Sequence, residues 1–161
     1  MPYATEQARI DLLRAAAGAT EHIGQALTAL GAAYEQLDEQ SGERLEEELF
    51  RPVQLAYGRL RRTHDDFAVR HGLPGREFVA PPPGHASQGV KGYIESAIEA
   101  ITTADLELST LQDSMLPVEV GDPELRAGLS EVREILGDLP GRGRRFLSMF
   151  GPDIELARSL L

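Results

Sequence analysis

The chain has no cysteine, which removes disulfides, thiol nucleophiles and cysteine-ligated zinc. It also lacks tryptophan, and aromatic residues make up only 6%. A core built from Ala, Leu and Ile suits helix-on-helix packing, whereas β-sandwiches draw on more Val, Thr and aromatic side chains. Lys91 is the one lysine, and its place beside Gly92 and Tyr93 reads as a helix-terminus surface position, not a Schiff-base nucleophile. No apolar run approaches the roughly 20 residues that a membrane-spanning helix needs. The segment Met1–Glu6 has neither a basic stretch nor an apolar one, so no signal peptide is expected. Positive charge is in short supply: 16 Lys and Arg stand against 26 Asp and Glu, a net charge of −10. Such a chain is repelled by duplex nucleic acid and by anionic membranes unless its basic residues segregate. The expectation is a soluble, cytoplasmic, acidic protein.

What remains is helix. With 161 residues, 42% of them hydrophobic and 26% charged, the chain is long enough for a real core in a single domain, 1–161. Leu13, Ala16, Thr20, Ile23, Leu27, Leu30, Tyr34 and Leu37 recur at alternating steps of three and four, which predicts a first helix over 5–38. A parallel stripe of Leu12, Ala19, Ala26 and Ala33 is small enough for a neighbouring helix, or a second copy of the chain, to come close. Leu45, Leu49, Val53, Ala56, Leu60, Thr63 and Phe67 mark a second helix over 43–72. Glu43, Glu46, Glu47 and Glu48 lie in its first turns, where negative charge suits the helix dipole. Pro52 lies within it and predicts a kink or break near Glu48–Arg51, and Gly72 is placed to end it as the C′ residue.

Residues 73–88, rich in Pro and Gly, read as a long loop. Val90, Ile94, Ala97, Ile101, Ala104, Leu108, Leu111 and Met115 predict a helix over 89–115. After an apolar connector, Asp122-Pro123 is a strong helix start for a fourth helix over 122–139. A short helix over 142–150 and a tail over 151–161 complete the chain. The predicted fold is an all-α four-helix bundle. Two antiparallel hairpins are joined by the long Pro/Gly loop, and a short C-terminal helix follows. Short connections make each hairpin antiparallel, but the loop is long enough to leave the arrangement of the hairpins open, including exchange in a dimer.

Chemistry is harder to find. A di-iron bundle needs Glu-x-x-His pairs facing the core, yet Ala19, Arg61 and Ala68 precede His22, His64 and His71 by three. Asp105 is the only acid near the third helix seam. His64, Asp65 and His71 share a helix face and are the candidate metal or ligand residues, although a solvated polar face explains them as well. No phosphate loop or nucleophile elbow appears, and no cofactor is expected. Arginines gather at Arg59, Arg61 and Arg62 and again at Arg142, Arg144 and Arg145, a possible anion or membrane-surface contact. Without interleaved aromatics they do not make a nucleic-acid site.

Two apolar surfaces remain as candidates for a protein partner. One is the stiff loop with Phe78, Val79, Pro81, Pro82 and Pro83. The other gathers Leu116, Val118, Phe146, Phe150, Ile154, Leu160 and Leu161. Together these features favour a non-enzymatic interaction protein, an adaptor or scaffold that binds another protein or itself. The alternative is a metal- or ligand-binding bundle enzyme using the His64/Asp65/His71 face.

Overall fold

A computed structural model describes residues 2–79, 81–82 and 89–160, with side-chain surroundings for 4–79, 81–82 and 89–149. It is all-helical among the described residues. Helix α1 spans Pro2–Glu35 and ends three residues short of the predicted boundary, because Asp38 serves the next helix. Asp38 is extended, at φ −68° and ψ 170°, and its carboxylate accepts the Ser41 N–H at 2.8 Å. That N-cap starts α2 at Glu39, ahead of Glu43. Gly42 is tolerated there because the Tyr34 ring lies over it, 3.1 Å from where a Cβ would stand.

Pro52 does not interrupt the helical run of the second helix, but the regular α-helix gives way near the predicted position. There α2 (Glu39–Leu45) runs through a π-helical turn (Glu46–Phe50) into α3 (Arg51–Arg70). The turn is closed by the Arg51 N–H on the Glu46 carbonyl, a five-residue bond that admits one extra residue. Pro52 has no N–H for the carbonyl four residues back, Glu48 O. Arg142 donates to that oxygen at 3.3 Å instead. The apolar face therefore stays continuous: Leu45, Leu49, Val53, Ala56, Leu60, Thr63 and Phe67 are all buried.

Helix α3 ends where the sequence places its stop. Gly72 has φ 65°, its N–H bonds Val69 O at 3.3 Å, and the Leu73 N–H bonds Ala68 O at 2.8 Å. This paired arrangement satisfies the last carbonyls and seats Leu73 back on the core.

Helix α4 spans Gly89–Asp113. Met115, left-handed at φ 69°, turns the chain into a single helical turn, α5 (Leu116–Glu119), within the predicted connector. Helix α6 spans Pro123–Leu136, capped by Asp122. It stops before Pro140, which opens the next helix instead of ending this one; proline lacks only an N–H that a first turn leaves unused. Helix α7 then runs from Leu139 to Leu160 without the break predicted at Gly151-Pro152. A segment too short to nucleate alone extends a helix already formed, at no further nucleation cost.

Side-chain contacts fix the directions. Arg9 reaches Val120 O at 3.0 Å, and Gly18 and His22 both sit beside Glu107, so α1 and α4 are antiparallel. Tyr34 over Gly42 and Gly24 beside Tyr57 make α1 and α3 antiparallel as well. Arg59 with Glu131, Thr63 with Gly128 and Arg70 with Asp122 align α3 against α6. Helices α3 and α4 therefore run the same way, and the chain between them must travel the length of the bundle. It does so over the α1/α3 groove. Leu73 packs near the lower end of α1, Arg76 pairs with Glu21, and Pro81 lies beside Gly24. Helix α1 packs most extensively on α4, across this strap, more than on α3, the helix that follows it in sequence.

The core joins Leu12, Ile23 and Leu30 with Leu60, Phe67, Ile101, Leu108, Leu129 and Phe146. The small stripe of α1, Leu12, Ala19, Ala26 and Ala33, is wholly buried in the bundle. It is spent on packing within the chain and offers no face to a second copy.

Candidate functional site

The strap brings together a groove that no periodicity marks. Ile10, Leu13, Arg14 and Ala17 of α1, His64 of α3 and Leu73–Arg76 of the strap line a cavity of about 400 Å³. Leu13, Ala17 and Leu73 are buried core residues, so the floor is apolar. His64 is 3% exposed. Its Nδ1 lies 3.0 Å from Asp65 Oδ1, and Phe78 from the strap meets its ring edge-on at 5.2 Å. A carboxylate on Nδ1 fixes the tautomer, since only a protonated nitrogen donates to it. Nε2 then carries the free lone pair and has no hydrogen bond among the described residues.

The sequence put His64, Asp65 and His71 on one face, and the structure gives them separate tasks. Asp65 holds His64. His71 lies a turn away, stacks on Phe67 with centroids 4.3 Å apart, and places Nε2 2.9 Å from Asp122 Oδ2. Asp122 is the hub of this end of the bundle. Arg70 donates a two-pronged fork to it, Nε to Oδ2 at 2.8 Å and Nη2 to Oδ1 at 2.9 Å. Leu125 N–H adds the helix cap at 2.8 Å. Partial burial alone would raise the Asp122 carboxyl, but the Arg70 fork, the Leu125 N–H and His71 outweigh it and hold the group far below the usual carboxylate range. The same pairing pushes the Arg70 guanidinium further up. Among the described residues no three His, Asp or Glu side chains converge as a metal site. Asp105 is engaged by Arg133 at 3.0 Å, and His22 pairs with Glu107 across α1 and α4.

Only part of each arginine cluster is drawn into the fold, and Arg61, Arg62, Arg144 and Arg145 are exposed. Arg59 binds Glu131, Arg61 sits 5.7 Å over the Tyr57 ring, and Arg142 binds Asp138 as well as Glu48 O.

Of the residues read as partner-binding, Phe146 is 1% exposed and belongs to the core. Phe78 is half-buried against His64, and Leu116 packs on the core. Val79 and Val118 are exposed, Pro81 is half-buried beside Gly24, and Pro82 is exposed. Pro83, Leu161 and the side chains of Phe150, Ile154 and Leu160 lie outside the described residues.

A second surface, unmarked in the sequence, lies outside the α3/α6 contact. Pro52, Leu55 and Ile135 form its apolar centre, with Glu47, Arg51, Glu134, Asp138 and Arg142 around them, in a depression of about 540 Å³. Leu55 is 59% exposed. Only Leu55 falling off the buried stripe of α3 could have signalled it.

Among the described residues no helix is long and apolar enough to cross a membrane. Comparison of the chain with protein-family models, with curated proteins and with solved structures finds no match.

Proposed function

We propose that this chain is a non-enzymatic interaction protein, a helical scaffold that works in the cytoplasm by docking through the Pro52/Leu55/Ile135 surface. The observation that carries the reading is the make-up of that surface: an exposed leucine at the centre of an apolar depression ringed by charge. Apolar centres with polar rims are how protein interfaces are built. The rim holds both signs, with Glu47, Glu134 and Asp138 beside Arg51 and Arg142. A mixed rim can be its own complement, since a two-fold axis can set acids of one copy opposite Arg51 and Arg142 of the other. The occupant in this reading is a second copy of the chain. The alternative built on His64, Asp65 and His71 loses one member, because His71 is committed to Asp122 beside the Arg70 fork.

The absence of cysteine makes a direct test simple. A Leu55→Cys variant presents one thiol at the centre of the surface. Under mild oxidation it should form a covalent dimer much faster than a Leu106→Cys control, which is exposed elsewhere on α4. Equal rates for the two variants would defeat the reading.

A further inference from the structure

The groove beneath the strap has its own chemistry, independent of the docking surface. We infer that it binds a small amphipathic carboxylic acid, its aliphatic body on the floor of Leu13, Ala17 and Leu73 and its carboxyl group among His64, Arg14 and Arg76. Three observations lead there. The cavity measures about 400 Å³, within the range of small-ligand sites, which are largely apolar with a few placed polar groups. Among the described residues every charged or titratable side chain lining it is basic, Arg14, Arg76 and His64, in a protein whose net charge is −10. Finally, His64 lines the cavity with Nδ1 held by Asp65, which leaves Nε2 as the ring nitrogen open to a ligand.

The charge balance disfavours a dianion. Arg14 is already 3.6 Å from Asp11, Arg76 is bonded to Glu21 and Asp65 sits on His64, so no uncompensated positive charge remains for a phosphate dianion. The histidine selects a carboxyl group. With Nδ1–H directed to Asp65, Nε2 accepts from a carboxylic O–H, or after proton transfer donates to the carboxylate. One shared proton satisfies both groups, and the bond is charge-assisted in the second form. The strap supports this placement, because Phe78 packs on the His64 ring and Arg76 lies 5.8 Å from the Phe78 centroid.

The test is calorimetric titration of the full chain with octanoate, with octanol and octylammonium as neutral and cationic counterparts. Octanoate should bind at one site, at least tenfold tighter than octanol, with octylammonium undetected. An Arg14→Gln/Arg76→Gln variant alters two exposed side chains and should stay folded, with the wild-type circular dichroism spectrum, while weakening octanoate by about tenfold or more. His64→Gln should weaken octanoate and leave octanol unchanged. Amide shifts should centre on Leu13, Ala17 and Leu73. The inference is overturned by no octanoate binding at millimolar concentration, by equal affinity for octanoate and octanol, by arginine variants that bind normally, or by shifts centred elsewhere.

Discussion

Replacing Gly128 with alanine should destabilise the protein even though alanine is the better helix former. A Cβ at Gly128 would stand 2.2 Å from Thr63 Oγ1, 2.6 Å from its Cγ2 and 3.0 Å from its Cβ. Ordinary contact begins near 3.4 Å, so α6 must retreat by about 1 Å. Thr63 cannot turn aside, because its hydroxyl donates to Arg59 O at 2.8 Å and rotation only exchanges oxygen for methyl. Overpacking of this kind costs about 1–3 kcal/mol, and the helix propensity gain returns about 1 kcal/mol. The net should be a loss of up to about 2 kcal/mol, or up to roughly 6 °C in melting temperature for a chain of this size. Gly31→Ala is the matched control: nothing lies within 4 Å of its Cβ position, and it should gain up to about 1 kcal/mol. Thr63→Ala combined with Gly128→Ala should recover most of the loss, giving a coupling of about 1 kcal/mol or more. Urea unfolding followed by far-ultraviolet circular dichroism measures these proteins, with Thr63→Ala alone completing the cycle. A Gly128→Ala protein as stable as Gly31→Ala would refute the α3/α6 contact as described.

Other outcomes follow from the same contacts. Asp122→Ala removes a helix cap, worth about 1 kcal/mol, together with the Arg70 fork, so a loss of about 3 kcal/mol is expected in urea unfolding. Because the Asp122 carboxyl is depressed in the folded state, its contribution is complete above the unfolded pKa of about 3.9 and fades as pH falls below it. Melting of the wild-type protein from roughly pH 5 to pH 2, across the carboxylate range, should therefore fall more steeply than that of Asp122→Asn. Met115→Gly relieves a left-handed non-glycine residue and should stabilise by about 0.5–1 kcal/mol, measured by thermal melting. Arg142→Ala leaves Glu48 O without the donor that Pro52 cannot supply, and a loss of about 1–2 kcal/mol is expected.

Much of the fold could be read from residue spacing, because burial is what spacing records. The stripes of α3 and α4 are buried as the sequence suggests, apart from the exposed Met115, and Gly72 and Asp122 cap where their chemistry places them. The π turn was legible too, in retrospect. Leu45, Leu49 and Val53 take two consecutive steps of four, one residue more than a heptad allows, and the turn absorbs that residue. Proline drew attention to the right place but not to the π turn found there, nor to the donor for Glu48 O, Arg142, which lies more than ninety positions away. Which stripe meets which helix was not legible. The alanine stripe of α1 reads equally well as an intramolecular seam or a dimer face. Deciding between them requires the path of the strap, and that path depends on pairs such as Arg76 with Glu21. The groove behind the strap was invisible for the same reason: its walls come from three segments without a common period. Leu73 was its one local sign, an apolar residue just beyond a glycine cap, where such residues fold back on the preceding helix.

Sedimentation velocity across a dilution series, wild type against Leu55→Glu, bears most directly on self-association through α3 and α6. The wild-type chain should shift from the mass of one chain to twice that mass as concentration rises through the micromolar range. Leu55→Glu should stay at the single-chain mass with an unchanged circular dichroism spectrum. A wild-type protein that remains at the single-chain mass at every concentration, or a Leu55→Glu variant that associates as readily, would contradict the account.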